Sequence, residues 1–268
     1  MPKAKKQKKV KRILNVVPSK DTEKDWGMDN AVGAGMLAAA APLPASKDLR
    51  ESWWKVGNQG ATGSCVGWGT GDGVLRWHFT KAGRIAKNET VSPRFVWMAA
   101  KETDEFISRP TTFIESDGTS LKSALDIARN FGVVKDSVLP FANGNLYPGE
   151  VDTFYAIASQ LKITAYFNLF RNLGEWRTWL ATKGPILAAL EVDRTWEDAK
   201  STNGNLDVFQ PNTVRGGHCI AIVGYKADGR FIIRNSWGTT DWGDKGFGYA
   251  TEAYIQAGFF NEAYGVTL

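Results

Sequence analysis

The chain has only two cysteines and two histidines, and one of each stands in a glycine-marked block far from the other. The first block is Gln59-Gly60-Ala61-Thr62-Gly63-Ser64-Cys65. The second is Gly217-His218, followed by Asn235-Ser236-Trp237-Gly238. A thiol, an imidazole and an amide in this order suit nucleophilic attack on a carbonyl. Cys65 supplies sulfur, His218 takes its proton, and Asn235 orients the ring through its side-chain oxygen. That chemistry requires a fold in which distant segments meet, and helices first with strands later suggest two subdomains with a cleft between them, Cys65 on one wall and His218 and Asn235 on the other.

Local sequence supports both walls. Gly63-Ser64 reads as a turn into a helix that starts at Cys65 and runs through Val66, Val74, Leu75 and Trp77. A helix start beside an imidazolium predicts a thiol pKa lowered into roughly the 3.5–7.5 range. Gln59, six residues upstream, is a candidate amide donor to a tetrahedral oxyanion, with the Cys65 N–H as the second donor. In isolation, Cys65 would read as an inert core thiol and Gln59 as a surface residue. Gly67, Gly69, Gly71 and Gly73 cost that helix about 4 kcal/mol against alanine. Either tertiary packing offsets this or the helix is irregular there. Residues 218–224 read as a buried strand, and residues 231–235 as a second strand after the turn at Ala227-Asp228-Gly229. Pairing as a hairpin puts His218 and Asn235 at the same open end. Alternation turns Cys219 to the opposite face, into core packing.

Asn58-Gln59-Gly60-x-x-Gly-Ser64-Cys65, then Gly217-His218-x-x-x-x-Val223-Gly224-Tyr225, then Asn235-Ser-Trp-Gly-x-x-x-Trp-Gly-x-x-Gly-x-Gly248 resembles the papain family of cysteine peptidases, in a bacterial-type form with a short N-terminal extension. The likeness extends more loosely from about Leu43, through Gly184-Pro185 and the strand after it, to the C-terminus. It implies a nucleophile at Cys65, a base at His218, an orienting amide at Asn235 and an oxyanion donor at Gln59. Trp237 matches the tryptophan that shields the His–Asn contact and lines the leaving-group side. Gly118 and Thr119, with Gly217, become candidates for the wall that holds a substrate backbone. Two departures stand out. Thr62 replaces a cysteine that normally enters a disulfide, and Val66 replaces an aromatic residue.

The length of 268 residues suits one large domain or two subdomains meeting at a cleft. Two histidines without a cluster of cysteines or carboxylates predict no metal site, and the resemblance implies no cofactor. Two cysteines give no disulfide framework, and Met1 to Arg12 does not resemble a secretory signal, so a cytoplasmic location is favoured, with secretion by another route as the alternative. No unbroken apolar stretch is long enough for a transmembrane segment. The first twelve residues carry +7 against +5 for the whole chain, so the basic character is confined to this tail. Such a tail suits nucleic acid or an anionic membrane, but a solvated tail is the simpler expectation.

The expected fold is α+β and papain-like, with a helical subdomain packed against an antiparallel β subdomain. The expected division is an extension over 1–42 and a peptidase domain over 43–268, helical mainly in 58–150 and β-rich mainly in 151–268. Ser92-Pro93 caps a helix over 95–101; Ser120 to Ala128 has helical spacing, with Gly132 as its stop; Trp176, Trp179 and Leu180 mark another helix. The extension carries apolar patches at Ile13 to Val17 and Met36-Leu37 that suit cover of the cleft, as a zymogen's inhibitory segment would, with the basic residues before them serving separately. The function this predicts is peptide-bond hydrolysis. The rivals are a silenced peptide-binding or inhibitory protein on the same fold, and an acyl transferase.

Overall fold

The computed structural model describes residues 11–36, 42–103, 118–142 and 151–268. The basic run before Lys11, Leu37 and Asp117 lie outside these residues. The helices are α1 (Met28–Gly33), α2 (Cys65–Gly67), α3 (Arg76–Lys81), α4 (Pro93–Thr103), α5 (Leu121–Asn130), α6 (Val151–Ala158), α7 (Leu173–Thr182), α8 (Arg194–Glu197) and α9 (Glu252–Gly258). The strands are β1 (Lys47–Asp48), β2 (Ala165–Asn168), β3 (Ile186–Val192), β4 (Asn205–Leu206), β5 (Gly216–Tyr225), β6 (Phe231–Arg234), β7 (Phe247–Ala250) and β8 (Phe259–Thr267).

The caps explain where the helices begin. Ser92 Oγ accepts the Phe95 N–H at 3.0 Å at the head of α4, and Ser120 Oγ accepts the Ser123 N–H at 3.2 Å at the head of α5. Asn172 does the same for α7 through the Glu175 N–H. Gly132 closes the turn after α5 with φ +94°, where a side chain would also strike the Ala158 carbonyl.

The strands form one sheet in the order β2-β8-β3-β5-β6-β7-β4, with β1 added beside β5. Its pairings are antiparallel except that β4 and β7 run parallel. The expected hairpin is present, with Ala221 opposite Arg234 and Ile222 opposite Ile233. Helix α7 covers one face, where Trp176 meets Phe231 edge-on at 5.6 Å. Gly265 lacks a Cβ where the Trp179 indole lies against β8. The helices α2 to α5 form the other half of the α+β architecture and pack on the sheet through the segment that follows α2, which touches β3 and β5.

That segment differs from a plain α-helix. Residues Trp68–Leu75 are π-helical, so the rod from Cys65 to Lys81 is α-helical at both ends and wider in the middle. Both consequences foreseen for the glycines occur together. A Cβ at Gly67 would run into the Pro93 carbonyl, one at Gly69 would sit 2.5 Å from Cys219 Sγ, and one at Gly73 would sit 3.1 Å from Ala221 Cβ. Close approach on two sides, rather than helix propensity, sets this stretch.

Candidate active site and its covering segment

Cys65 opens α2 and is fully buried. The loop before it is held by side chains: Thr62 Oγ1 donates to the Gln59 carbonyl at 2.7 Å and lies 2.6 Å from Ser64 Oγ. Gln59 Nε2 donates to the Thr62 carbonyl at 3.0 Å, and Gln59 Oε1 accepts the Ser236 hydroxyl at 2.8 Å. The Gln59 N–H also reaches the Ser236 carbonyl at 2.9 Å. The loop before the nucleophile is therefore tied directly to the turn after Asn235.

His218 Nε2 lies 2.7 Å from Asn235 Oδ1, which also accepts the Ser236 N–H at 2.8 Å. An amide oxygen requires a donor, so Nε2 carries the proton and Nδ1 holds the lone pair. Nδ1 is buried with no hydrogen-bond partner among the described residues. Three indoles enclose the ring: Trp237 at 5.0 Å and Trp196 at 5.7 Å touch it, and Trp242 backs Trp196 at 4.4 Å. The thiol of Cys65 receives backbone N–H groups, first that of Cys219, the residue after His218. Cys219 Sγ faces Gly69 inside the core.

The titration pattern departs from the sequence expectation. Burial pushes the Cys65 thiol up to about 11, against the pull of the Cys219, Val66 and Cys65 N–H groups. Burial likewise brings His218 down to about 4; the Asn235 bond opposes this, and the Arg12 charge adds to it. A neutral thiol and a neutral imidazole replace the expected ion pair, because desolvation outweighs the backbone N–H groups at Cys65 and the Asn235 bond at His218.

Residues 12–17 run along this site. Arg12 Nη1 donates to Asn58 Oδ1 at 3.0 Å and to the Gly60 carbonyl at 2.6 Å, while Nη2 reaches the Trp237 carbonyl at 3.4 Å. The guanidinium sits 5.5 Å from the centre of the Trp237 ring. The Val16 N–H donates to the Gly217 carbonyl at 3.3 Å, and the Val17 N–H to the Thr119 carbonyl at 3.2 Å. Gly216 and Gly118 leave room for the Leu14 and Asn15 carbonyls, where a side chain would collide. Gly118, Thr119, Gly217 and Trp237 thus all face this segment.

The Ile13–Val17 patch behaves as a cover, but Met36 does not: it lies beside Thr267 at the end of β8, on the sheet. The basic stretch is not separate from the cover either, since Arg12 is part of it. Beyond the cleft the extension is fixed to the sheet. The Asn168 N–H donates to the Trp26 carbonyl at 2.8 Å, and Asp25 Oδ2 accepts Tyr264 OH at 2.8 Å and Asn168 Nδ2 at 3.2 Å. Asp25 also pairs with Lys122. Sequence reasoning missed Ser236, Asn58, Trp196 and Arg12; the first two lie inside the recognised blocks, whereas no local pattern marks the last two.

A family model described as papain family cysteine protease matches residues 43–266. Among curated proteins, Peptidase 1 of Psoroptes ovis is 44% identical over 77 residues, which are 27% of this chain and 24% of that protein. Cathepsin B-like CP3 of Giardia intestinalis is 26% identical over 242 residues, covering 82% of this chain and 73% of that protein. Among solved structures, xylellain, a cysteine protease from Xylella fastidiosa, superposes with a TM-score of 0.78 at 19% identity, covering 98% of this chain and 99% of that one. Procathepsin L2 from the Tenebrio molitor larval midgut gives 0.68 at 20% identity, over 96% and 78% of the two chains. These structural likenesses concern the fold. With the family model spanning most of the sequence, the chain belongs to the papain family of cysteine proteases.

Proposed function

We propose that this chain is a cysteine peptidase that hydrolyses peptide bonds and is held closed by its own residues 12–17. The observation that carries the reading is the 2.7 Å contact of His218 Nε2 with Asn235 Oδ1, which leaves the Nδ1 lone pair available for the thiol proton.

In the open enzyme, Cys65 passes its proton to His218 Nδ1, and the sulfur attacks the amide carbonyl carbon. The oxyanion receives the Cys65 N–H and the second hydrogen of Gln59 Nε2, whose first hydrogen is held by the Thr62 carbonyl. His218 then gives its proton to the leaving amine, which departs as the acyl–sulfur bond remains. Water, deprotonated by His218, releases the acid and regenerates the thiol. With residues 12–17 docked, the substrate wall is occupied and water is kept from the thiol, so neither binding nor ionisation proceeds.

Product analysis tests the reading. A full-length Val16→Pro variant, which loses the N–H bonded to Gly217, is incubated with an unfolded protein. New peptide N-termini that vanish on Cys65→Ala support hydrolysis. Cross-linked or amidated products mean acyl transfer, and a bound but intact peptide means a silenced binding protein.

A further inference from the structure

We propose that the Asn58–Gly60 turn and Trp237 form a guanidinium subsite through which the enzyme takes peptides bearing arginine on the leaving-group side of the cleaved bond. This rests on the peptidase reading above.

Arg12 shows what the subsite accepts. Among the described residues its hydrogen-bond partners are oxygen atoms: Asn58 Oδ1, the Gly60 carbonyl and the Trp237 carbonyl. The indole face of Trp237 lies against the cation; burial lowers the Arg12 pKa, and the Asp241 charge opposes this. Three acceptors and an indole face favour a cation, and an aliphatic side chain leaves the oxygens unpaired.

The oxygens are held in place without Arg12. Asn58 and Trp237 face each other as an isolated antiparallel bridge, the Gly238 N–H donates to the Gly57 carbonyl at 2.8 Å, and the Gly60 N–H donates to Asn58 Oδ1 at 3.0 Å. Gly238 has φ +76°, and a Cβ there would lie 3.2 Å from Asn58 Nδ2, so this turn closes directly onto Asn58. When Arg12 departs, its three acceptors stay aimed at the vacated position.

The placement relative to the reacting atoms is fixed as well. Asn58 and Gly60 flank Gln59, and Trp237 packs on His218, which protonates the leaving amine. Val16 and Val17 lie on the other side, at Gly217 and Thr119. A planar fork that pairs two ways and stacks on an indole fits arginine better than lysine, whose ammonium is a compact, strongly hydrated point charge.

The test uses full-length Arg12→Ala/Val16→Pro, in which the subsite is vacated and the N–H that holds the cover to Gly217 is lost. Quenched peptides identical except for the residue after the cleaved bond are compared by kcat/KM. Arginine should exceed leucine about tenfold, with lysine between, and Asn58→Ala added to this double variant should erase the difference. In parallel, acetyl-arginine amide should slow iodoacetamide alkylation of Cys65, and acetyl-leucine amide should not. Cleavage with equal rates for arginine and leucine overturns the proposal. If no peptide is cut, the alkylation decides: selective protection by the arginine probe keeps the subsite while the peptidase reading falls, and absent or equal protection removes the subsite too.

Discussion

The Val16 N–H donates to the Gly217 carbonyl at 3.3 Å, one residue before His218 in the same strand. The covering segment therefore extends the wall that holds the imidazole, and its grip is modest. Burying Val16 contributes roughly 1.5 kcal/mol by area, and each uncharged hydrogen bond about 1 kcal/mol. Tethering makes this sufficient, since an attached segment acts at an effective concentration in the mM range.

Loss of that grip should expose the thiol. Val16→Pro in the full-length chain is expected to speed alkylation of Cys65 about tenfold, the loss of roughly 1.4 kcal/mol of docking. Removing residues 1–12 should accelerate it as well, because Arg12 goes with them. Unchanged rates for both variants, read by mass spectrometry of the adduct, would leave the segment as a linker.

The pH dependence of alkylation should move with the segment. In the docked chain the thiol titrates near 11, so reactivity should climb from neutral pH toward that value. In Val16→Pro, water re-enters, the thiolate is less penalised, and the inflection should fall. Stopped-flow alkylation across pH 5 to 11 checks the direction; coincident profiles would count against the role given to burial.

Asn235→Ala should leave a folded protein with turnover reduced about 10²-fold, a magnitude at the low end of base catalysis, since the imidazole remains but loses its orienting acceptor. Measured in the Val16→Pro background, a folded variant of undiminished kcat would remove Asn235 from the mechanism.

Acid should weaken the fold through His78. Burial lowers its pKa to about 4, opposed by a hydrogen bond to the Pro185 backbone. The folded value lies below the ordinary 6.5, so the stability it contributes is full above pH 6.5 and declines as pH falls toward 4. The loss reaches at most about 3 kcal/mol. Thermal melts at pH 7 and 4.5 should show a smaller drop for His78→Phe than for the parent chain; equal drops would assign the acid sensitivity elsewhere.

Gly69→Ala should destabilise the protein by about 1–3 kcal/mol through overpacking, despite alanine's better helix propensity. The added Cβ meets Cys219 Sγ, so Cys219→Ala should recover part of the loss. Additive losses in urea unfolding would mean that the clash lies elsewhere.

The hairpin was legible in the sequence because β5 and β6 are short apolar runs split by an Asp-Gly turn. The helix starts at Ser92 and Ser120 were legible because a capping side chain acts within three residues. The π-helical stretch was visible only as a surplus of glycine. Its cause is tertiary, since Pro93 and Cys219 approach from elements distant in the chain. Arg12 read as one more charge in a basic run, because its partners Asn58, Gly60 and Trp237 reveal themselves only when the two blocks touch. The raised thiol pKa escaped for the same reason: sequence shows a helix start and an imidazole, while burial depends on what lies over them.

Where relatives resembling this chain place a half-cystine, Thr62 closes the loop before Cys65 with hydroxyl contacts to Gln59 and Ser64. Reducing agent keeps the nucleophile as a thiol and has no crosslink to sever in the loop that seats it. The conditions that preserve reactivity and those that preserve the loop therefore coincide. An enzyme built this way should tolerate strong reductant during handling, whereas one relying on a cystine at this position must compromise between the two.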